Sequence, residues 1–583
     1  GMLKLDIDLR DSRIQVKDLL SFAPFLSKQP AFSNPSAIWL LNGKITGSVQ
    51  ELNIRQLQLK AFSNTNLDIR GTISGLPDPK KLKGNLVINN FSTSRRDIEL
   101  LAPKGSLPKK ITLPETMDLR GTISGSLAAA KASLTLNSTL GGLSVNGSIS
   151  NPTDKSKAKY QATLVARELN LGRILQNDSM YGKLSATVTA AGYGFDPKTA
   201  DAKINGSIAS VMLNRYNYKN TKISGQIARQ LASFALDIKD PNINITMNGK
   251  ANFADSFPAV ALHAAIDSIR TLPLHFTTDS LVYKGTVAAD FFNTDPKNLT
   301  GELLVSNSSL TINDKTYLPD TIALSSGASD SGQFVRLKSE AINFALTGTY
   351  NLTQLGSVFQ NAIQPYYSIS TPSPVATPDT LDNYDFYFNA SVTDAPLLKA
   401  FVPTLTRLDP VHLQAHFVKD NGFQTSLDAP LIIMGANRIQ KLNIRAATAN
   451  NAIQFKTDLE QFNAGTSMII YATSIDASIA DNNIDFLVNL KDLNNKNKYR
   501  FGGLFEQPEQ GKYSLSLNPD SLMLNYDKWT IANTNSIRLN NGDINISNFV
   551  IGKNGQQLSL NSTSSENNSP LEVKFSNFKI GTI

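Results

Sequence analysis

Two seven-residue stretches fifty positions apart are nearly identical, Ile69-Arg70-Gly71-Thr72-Ile73-Ser74-Gly75 and Leu119-Arg120-Gly121-Thr122-Ile123-Ser124-Gly125. Looser copies recur at Leu143-Ser144-Val145-Asn146-Gly147-Ser148-Ile149, at Ile204-Asn205-Gly206-Ser207-Ile208 and at Phe344-Ala345-Leu346-Thr347-Gly348-Thr349-Tyr350. Apolar residues at every second position place one face of an extended chain in oil and the other in water, which is the strand period and not the helical one. Self-similarity on this scale builds arrays in which each unit packs only on its neighbours. The 583 residues therefore do not translate into a domain count.

Alternation is unbroken over residues 3–10, with Leu3, Leu5, Ile7 and Leu9 on one face and Lys4, Asp6, Asp8 and Arg10 on the other. The same period runs through Leu52-Asn53-Ile54, Leu57-Gln58-Leu59, Leu134-Thr135-Leu136, Leu515-Ser516-Leu517, Leu522-Met523-Leu524, Ile544-Asn545-Ile546 and Leu558-Ser559-Leu560, punctuated by Gly, Asn or Pro. A strand every 12 to 15 residues predicts about 40 strands. Helical spacing is confined to stubs. Val16, Leu19, Leu20 and Ala23 fit a helix opening near Asp11 or Ser12 and broken at Pro24. Leu169–Leu175, Ala395–Val402 and the longer Leu352–Ile363 are similar. Pro103, Pro108 and Pro114 mark a loop, and Pro365, Pro372, Pro374 and Pro378 a stronger break. The expected organisation is a first repetitive section over 1–355, a proline-rich boundary over 356–382 and a second section over 383–583.

Charged residues make up 18%, below the roughly 25% of an average soluble protein. Asn, Ser and Thr fill the polar positions instead, as exposed strand faces and turns require. The net charge of +8 is dispersed, with only short clusters such as Lys80-Lys81 and Arg95-Arg96, so no nucleic-acid partner is expected. With no cysteine there is no disulfide, thiolate nucleophile or Cys-based metal site. No apolar run approaches the roughly 18 to 20 residues of a membrane-spanning helix, the longest being Ala37–Leu41 and Leu431–Met434. Gly1 before Met2 reads as the remnant of a removed tag, and Phe578–Ile583 end in a strand-like run. The sequence is thus expected to be a piece whose missing ends hold an anchor or signal peptide.

Catalytic and ligand signatures fail on spacing. The repeats read Gly-x-x-Ser-Gly, whereas a nucleophile elbow requires Gly-x-Ser-x-Gly. Of the four histidines, His263, His275, His412 and His416, the last two lie in an alternating run, which separates them by about 13 Å, too far for one zinc. Asp481, Asn483, Asp485 and Asp492 imitate a calcium loop, but Phe486 stands where its sharp turn requires glycine. Gly192-Tyr193-Gly194 lacks the third glycine of a phosphate-cradling loop. No enzyme activity, catalytic residue, cofactor or metal is expected.

Some 40 amphipathic strands present an apolar face that a few stubs cannot cover. Because open twisted sheets seldom exceed ten strands without curling or splitting, two all-β architectures remain open: a long antiparallel sheet curled into a trough, or a row of β-sandwiches.

The segment Ala166–Leu175 followed by Gly182–Ala186, and the ordered series Leu515–Leu522, Asp527–Ile531, Ile544–Phe549 and Ser569–Phe575, resemble the AsmA-like and TamB group of bacterial envelope proteins. The resemblance is one of strand grammar and extends over essentially the whole chain. It favours the trough, an elongated repetitive antiparallel sheet with a few short helices. At ~4.8 Å per strand that trough would be up to roughly 190 Å long. It further implies a periplasmic protein tied to the inner membrane by a missing N-terminal anchor. A missing C-terminal domain would meet an outer-membrane barrel of the BamA or TamA kind. The group is described both as a phospholipid conduit and as a partner in outer-membrane protein assembly and secretion.

The leading expectation is a scaffold that conducts phospholipids, with acyl chains as its partner. The alternatives are an assembly chaperone using exposed strand edges and a structural or adhesive row of sandwiches. The lipid-facing positions expected from alternation are Leu3, Leu5, Ile7, Leu9, Leu52, Ile54, Leu134, Leu136, Leu515, Leu517, Leu522, Leu524, Ile544, Ile546, Leu558 and Leu560.

Overall fold

The computed structural model describes residues 4–577 except 23, 25–26, 28–29, 49, 77, 79, 103–109, 197–198, 331, 369–380, 467, 541 and 565–568. The chain forms two compact units, Gly1–Phe292 with Asn307–Thr316, and Asn293–Ser306 with Tyr317–Ile583. Both are antiparallel and all-β, and their helices are short, the longest described one having nine residues.

In the first unit sixteen strands, from Lys4–Gln15 to Leu281–Asn293, follow one another in chain order, each antiparallel to the next. The ladder is open and not a barrel. Tight turns join the strands. Asn214-Arg215 and Arg229-Gln230 both hold two successive positive φ angles, the signature of the two-residue turn whose twist matches that of its flanking strands.

The apolar runs of several strands change phase midway, and bulges absorb the change. On Glu51–Ala61, Ile54 faces Gly71 and Leu57 faces Ile69, so that Arg55 and Gln56 together oppose Arg70. One extra residue restores the phase, and Leu52, Ile54, Leu57 and Leu59 all point to one side. Arg10-Asp11, Asn89-Asn90, Arg167-Glu168 and Asp267-Ser268 do the same elsewhere.

Helices sit at strand ends. The first runs Val16–Phe22 and not from Asp11 or Ser12, because Ser12 to Gln15 remain paired with Leu41 to Ile38. Leu171–Leu175 and Pro396–Phe401 lie where the stubs are expected, the former capped by the Asn170 side chain, which accepts from Arg173 N. Arg95–Leu101 is an additional helix. Its Asp97 is fully buried and accepts from Asn64 N at 2.8 Å and Thr65 Oγ1 at 2.9 Å, tying the helix to a neighbouring turn.

The second unit holds a similar neighbour-to-neighbour ladder from Ile322–Ser329 to Asp543–Ser547, and a separate four-stranded sheet ending at Leu571–Ser576. Pro372, Pro374 and Pro378 lie outside the described residues, as do Pro103, Pro108 and Phe578–Ile583. Strands on either side of the proline-rich segment, Ile342–Thr349 and Asp385–Val392, pair directly, so the sheet is continuous across it. Within that segment, a turn of 3-10 helix at Leu352–Gln354 leads into the helix Leu355–Ile363. The expected strand at Leu522–Leu524 shrinks to Met523–Leu524, since Asn518 and Pro519 start a 3-10 turn just before it.

Candidate functional site: an uncovered apolar face

Register turns the local alternation into rows that cross the whole first unit. Ile7, Ile45, Ile54, Gly71, Leu86, Ile123, Ala132, Gly147, Ala162, Ala190, Ile204, Gly225, Phe234, Gly249, Leu262 and Ala289 are partners in succession, without one polar side chain. The row on one side runs from Leu9 through Leu134, Val188 and Ile223 to Val287, and the row on the other from Leu5 through Leu52, Tyr160 and Ala202 to Phe291. A further row carries Leu59, Leu119, Leu136 and Leu143.

Rows on one face recur every ~6.8 Å along a strand, so four rows make a band about 20 Å wide; fifteen strand steps carry it for about 70 Å. Three rows across sixteen strands alone span roughly 1,600 Å² of sheet. Protein leaves parts of this band uncovered. Ile123 is 36% exposed, and Ile204 and Phe234 are each 45% exposed. Among the described residues, the two clusters of buried apolar side chains lie in the second unit.

The opposite face is polar, with Asn85, Ser124, Lys131, Ser148 and Gln161 in register. It carries a shallow hollow of ≈ 390 Å³ over Ser124, Lys131 and Ser148; the second unit, by itself, has one of ≈ 930 Å³ over Tyr387, His416, Arg445 and Lys456. In the latter, His416 Nε2 lies 2.8 Å from Asp385 Oδ1 and its ring stacks on Tyr387. Ion pairs such as Lys456–Asp476, at 3.8 Å, are exposed and contribute little to stability. Asp8 beside Arg10 is held below the usual carboxylate range by the hydrogen bond from that guanidinium. Burial, followed by its hydrogen bond to Asp240, pushes the Tyr216 hydroxyl up.

The structure brings Leu5, Ile7, Leu9, Leu52, Ile54, Leu134 and Leu136 onto the one apolar face; Leu3 lies outside the described residues. In the second unit Leu515 and Ile546 share a row through Ile537, whereas Ile544 is half exposed beside Leu539. Leu517, Leu522, Leu524 and Leu558 instead surround Trp529 and Ile531, so protein side chains already occupy their surroundings. Leu560 faces Phe549 in the small sheet.

Asp481 belongs to a turn with Asn482, while Asn483 and Asp485 lie on the next strand. Among the described residues no three metal-ligating side chains converge, and no helix is long and apolar enough to cross a membrane. No protein-family model matches the chain, nor does any curated protein.

Proposed function

We propose that the apolar band of the first unit is a binding surface for lipid acyl chains, and that the protein is a non-enzymatic, lipid-conducting scaffold of the AsmA-like and TamB kind. The observation that carries this reading is the unbroken sixteen-strand apolar row, in which Ile7, Ile123, Ile204 and Phe234 stay 36% to 45% exposed. An acyl chain in a leaflet spans about 15 Å, half of a ~30 Å hydrocarbon core, and the band is about 20 Å wide, so a chain laid along the strands fits across it. Repetition lets a chain step between equivalent positions without meeting a polar barrier. On this reading the protein works in the periplasm between an inner-membrane anchor and an outer-membrane barrel, and the cargo is phospholipid.

A second reading, a chaperone for outer-membrane proteins, is favoured by Leu571–Ser576. This strand has one neighbour in its four-stranded sheet and exposes Leu571, Val573 and Phe575, the features that recruit a client strand.

Phe234 and Ser233 are neighbours on opposite faces of one strand and separate the two readings. Lipid extracted with the purified protein should fall at least tenfold in Phe234→Arg, because an unpaired charge in hydrocarbon costs several kcal/mol. Ser233→Arg should leave it unchanged. Equal lipid content in both folded variants, together with client proteins crosslinked at Val573, would transfer the function to the chaperone reading.

A further inference from the structure

The second unit has an apolar face of its own, and part of it is covered. The 3-10 turn and helix from Leu352 to Ile363, extended to Tyr366, lay Leu355, Val358 and Ala362 onto a floor built by Phe386, Phe417 and Phe423, with Ile453 and Ile479 beyond. Val358 is 3% exposed, and the Phe359 ring stands edge-on to Phe417 at 5.0 Å. The floor is a stacked ladder, Phe386 to Phe417 at 5.4 Å and Phe417 to Phe423 at 5.6 Å. Its strands keep their register beneath the helix, so the cover contributes no strand pairing.

The two ends of the cover are held differently. At the start, Gln354 Oε1 accepts from Asp382 N, Asn351 Nδ2 donates to Asp382, and Lys297 pairs with Asp382. At the far end Asn482 makes two hydrogen bonds to the cover. Asn482 N donates to Tyr366 O at 2.9 Å, and Asn482 Oδ1 accepts from Ser368 N at 2.8 Å. A nine-residue helix is too short to persist in water without a surface to pack on.

Resting on the lipid-binding reading, we infer that Leu352–Ser368 is a releasable strap occupying a second hydrocarbon site: the Phe386–Phe417–Phe423 floor takes an acyl chain when the strap lifts from its Asn482 end. The strap supplies from within the chain the apolar contacts that lipid supplies elsewhere. Release melts the helix, so occupation of the floor by strap or by acyl chain is mutually exclusive.

The test uses the whole protein and palmitic acid bearing a diazirine. Asn482→Gly removes the carboxamide that holds Ser368 while tolerating the left-handed backbone at this turn position, where φ is 61°. Val358→Asp loosens the strap independently. In both variants, hydrogen exchange should accelerate over the strap and stay unchanged over the floor strands. Photolabelling of peptides containing Phe386 and Phe417 should rise about fivefold for the loss of a single hydrogen bond, and more for the buried charge. Faster strap exchange without increased floor labelling would overturn the inference, as would unchanged strap exchange in both variants. Labelling around Ile204 and Phe234 in the first unit separates the failures. Its presence there with no rise at the floor defeats the strap alone, and its absence everywhere defeats the lipid reading as well.

Discussion

Gly71 and Gly121, the centres of the two near-identical stretches, share a φ of 141°, in a region that side chains other than glycine rarely enter. A Cβ at Gly71 would lie 1.9 Å from Asn85 O, and one at Gly121 equally close to Ser133 O. Backbone oxygens in a ladder cannot move aside. Gly121→Val should therefore cost about 3 kcal/mol or more of first-unit stability and lower its melting temperature, read by circular dichroism. Gly84, whose Cβ would find nothing closer than 3.8 Å, should accept alanine within about 0.5 kcal/mol. In the second unit Tyr350 is 4% exposed, and burial pushes its hydroxyl up to about 12. The folded state keeps this proton when the unfolded chain has lost it. The stabilisation is complete below pH 10 and disappears as the pH rises toward 12, a swing of up to about 2 to 3 kcal/mol. Denaturant titrations across this range should show that decline, and Tyr350→Phe should flatten it.

At the level of strands, bulges decide which face a side chain reaches. Leu52-Asn53-Ile54 and Leu57-Gln58-Leu59 read as two runs out of phase, yet they form one strand, because Arg55-Gln56 is a bulge and not a turn. Deleting Arg55 and Gln56 together would leave no residue for the bulge and send Leu57 and Leu59 to the polar side, whereas deleting Gln56 alone keeps Leu52, Ile54, Leu57 and Leu59 in one regular alternation. The expected result is that the double deletion aggregates on size exclusion, whereas the deletion of Gln56 alone elutes normally. Period-two alternation made the all-β class and the apolar face legible, and asparagine pairs marked some of the tight turns, Asn450-Asn451 among them. Arg229-Gln230 makes the same kind of turn with no compositional sign of it. The helix Arg95–Leu101 was also readable, for Ser94-Arg95-Arg96-Asp97 carries the capping pattern, with the Ser94 hydroxyl accepting from Asp97 N. What covers a face is a different matter. Leu134 and Leu522 alternate alike in sequence, but Leu134 joins an open row, whereas Leu522 packs with Trp529, across the hairpin that pairs Met523 with Lys528, into a cluster that also takes in Ile551 and Phe501 from distant strands.

Across the molecule, each ladder joins a strand almost always to its immediate successor in the chain, so stability accrues as a sum of neighbour terms and no long-range closure is needed. A consequence is mechanical. Tension applied at one end of such a ladder loads the hydrogen bonds of one strand pair in sequence and leaves the next pair untouched until the first has parted. The first unit should thus yield like a zip, at low and nearly constant force, releasing about 40 Å of chain per twelve-residue strand. A protein that gives way in this manner can lose and regain strands at its edge under strain while its remaining rows keep their register.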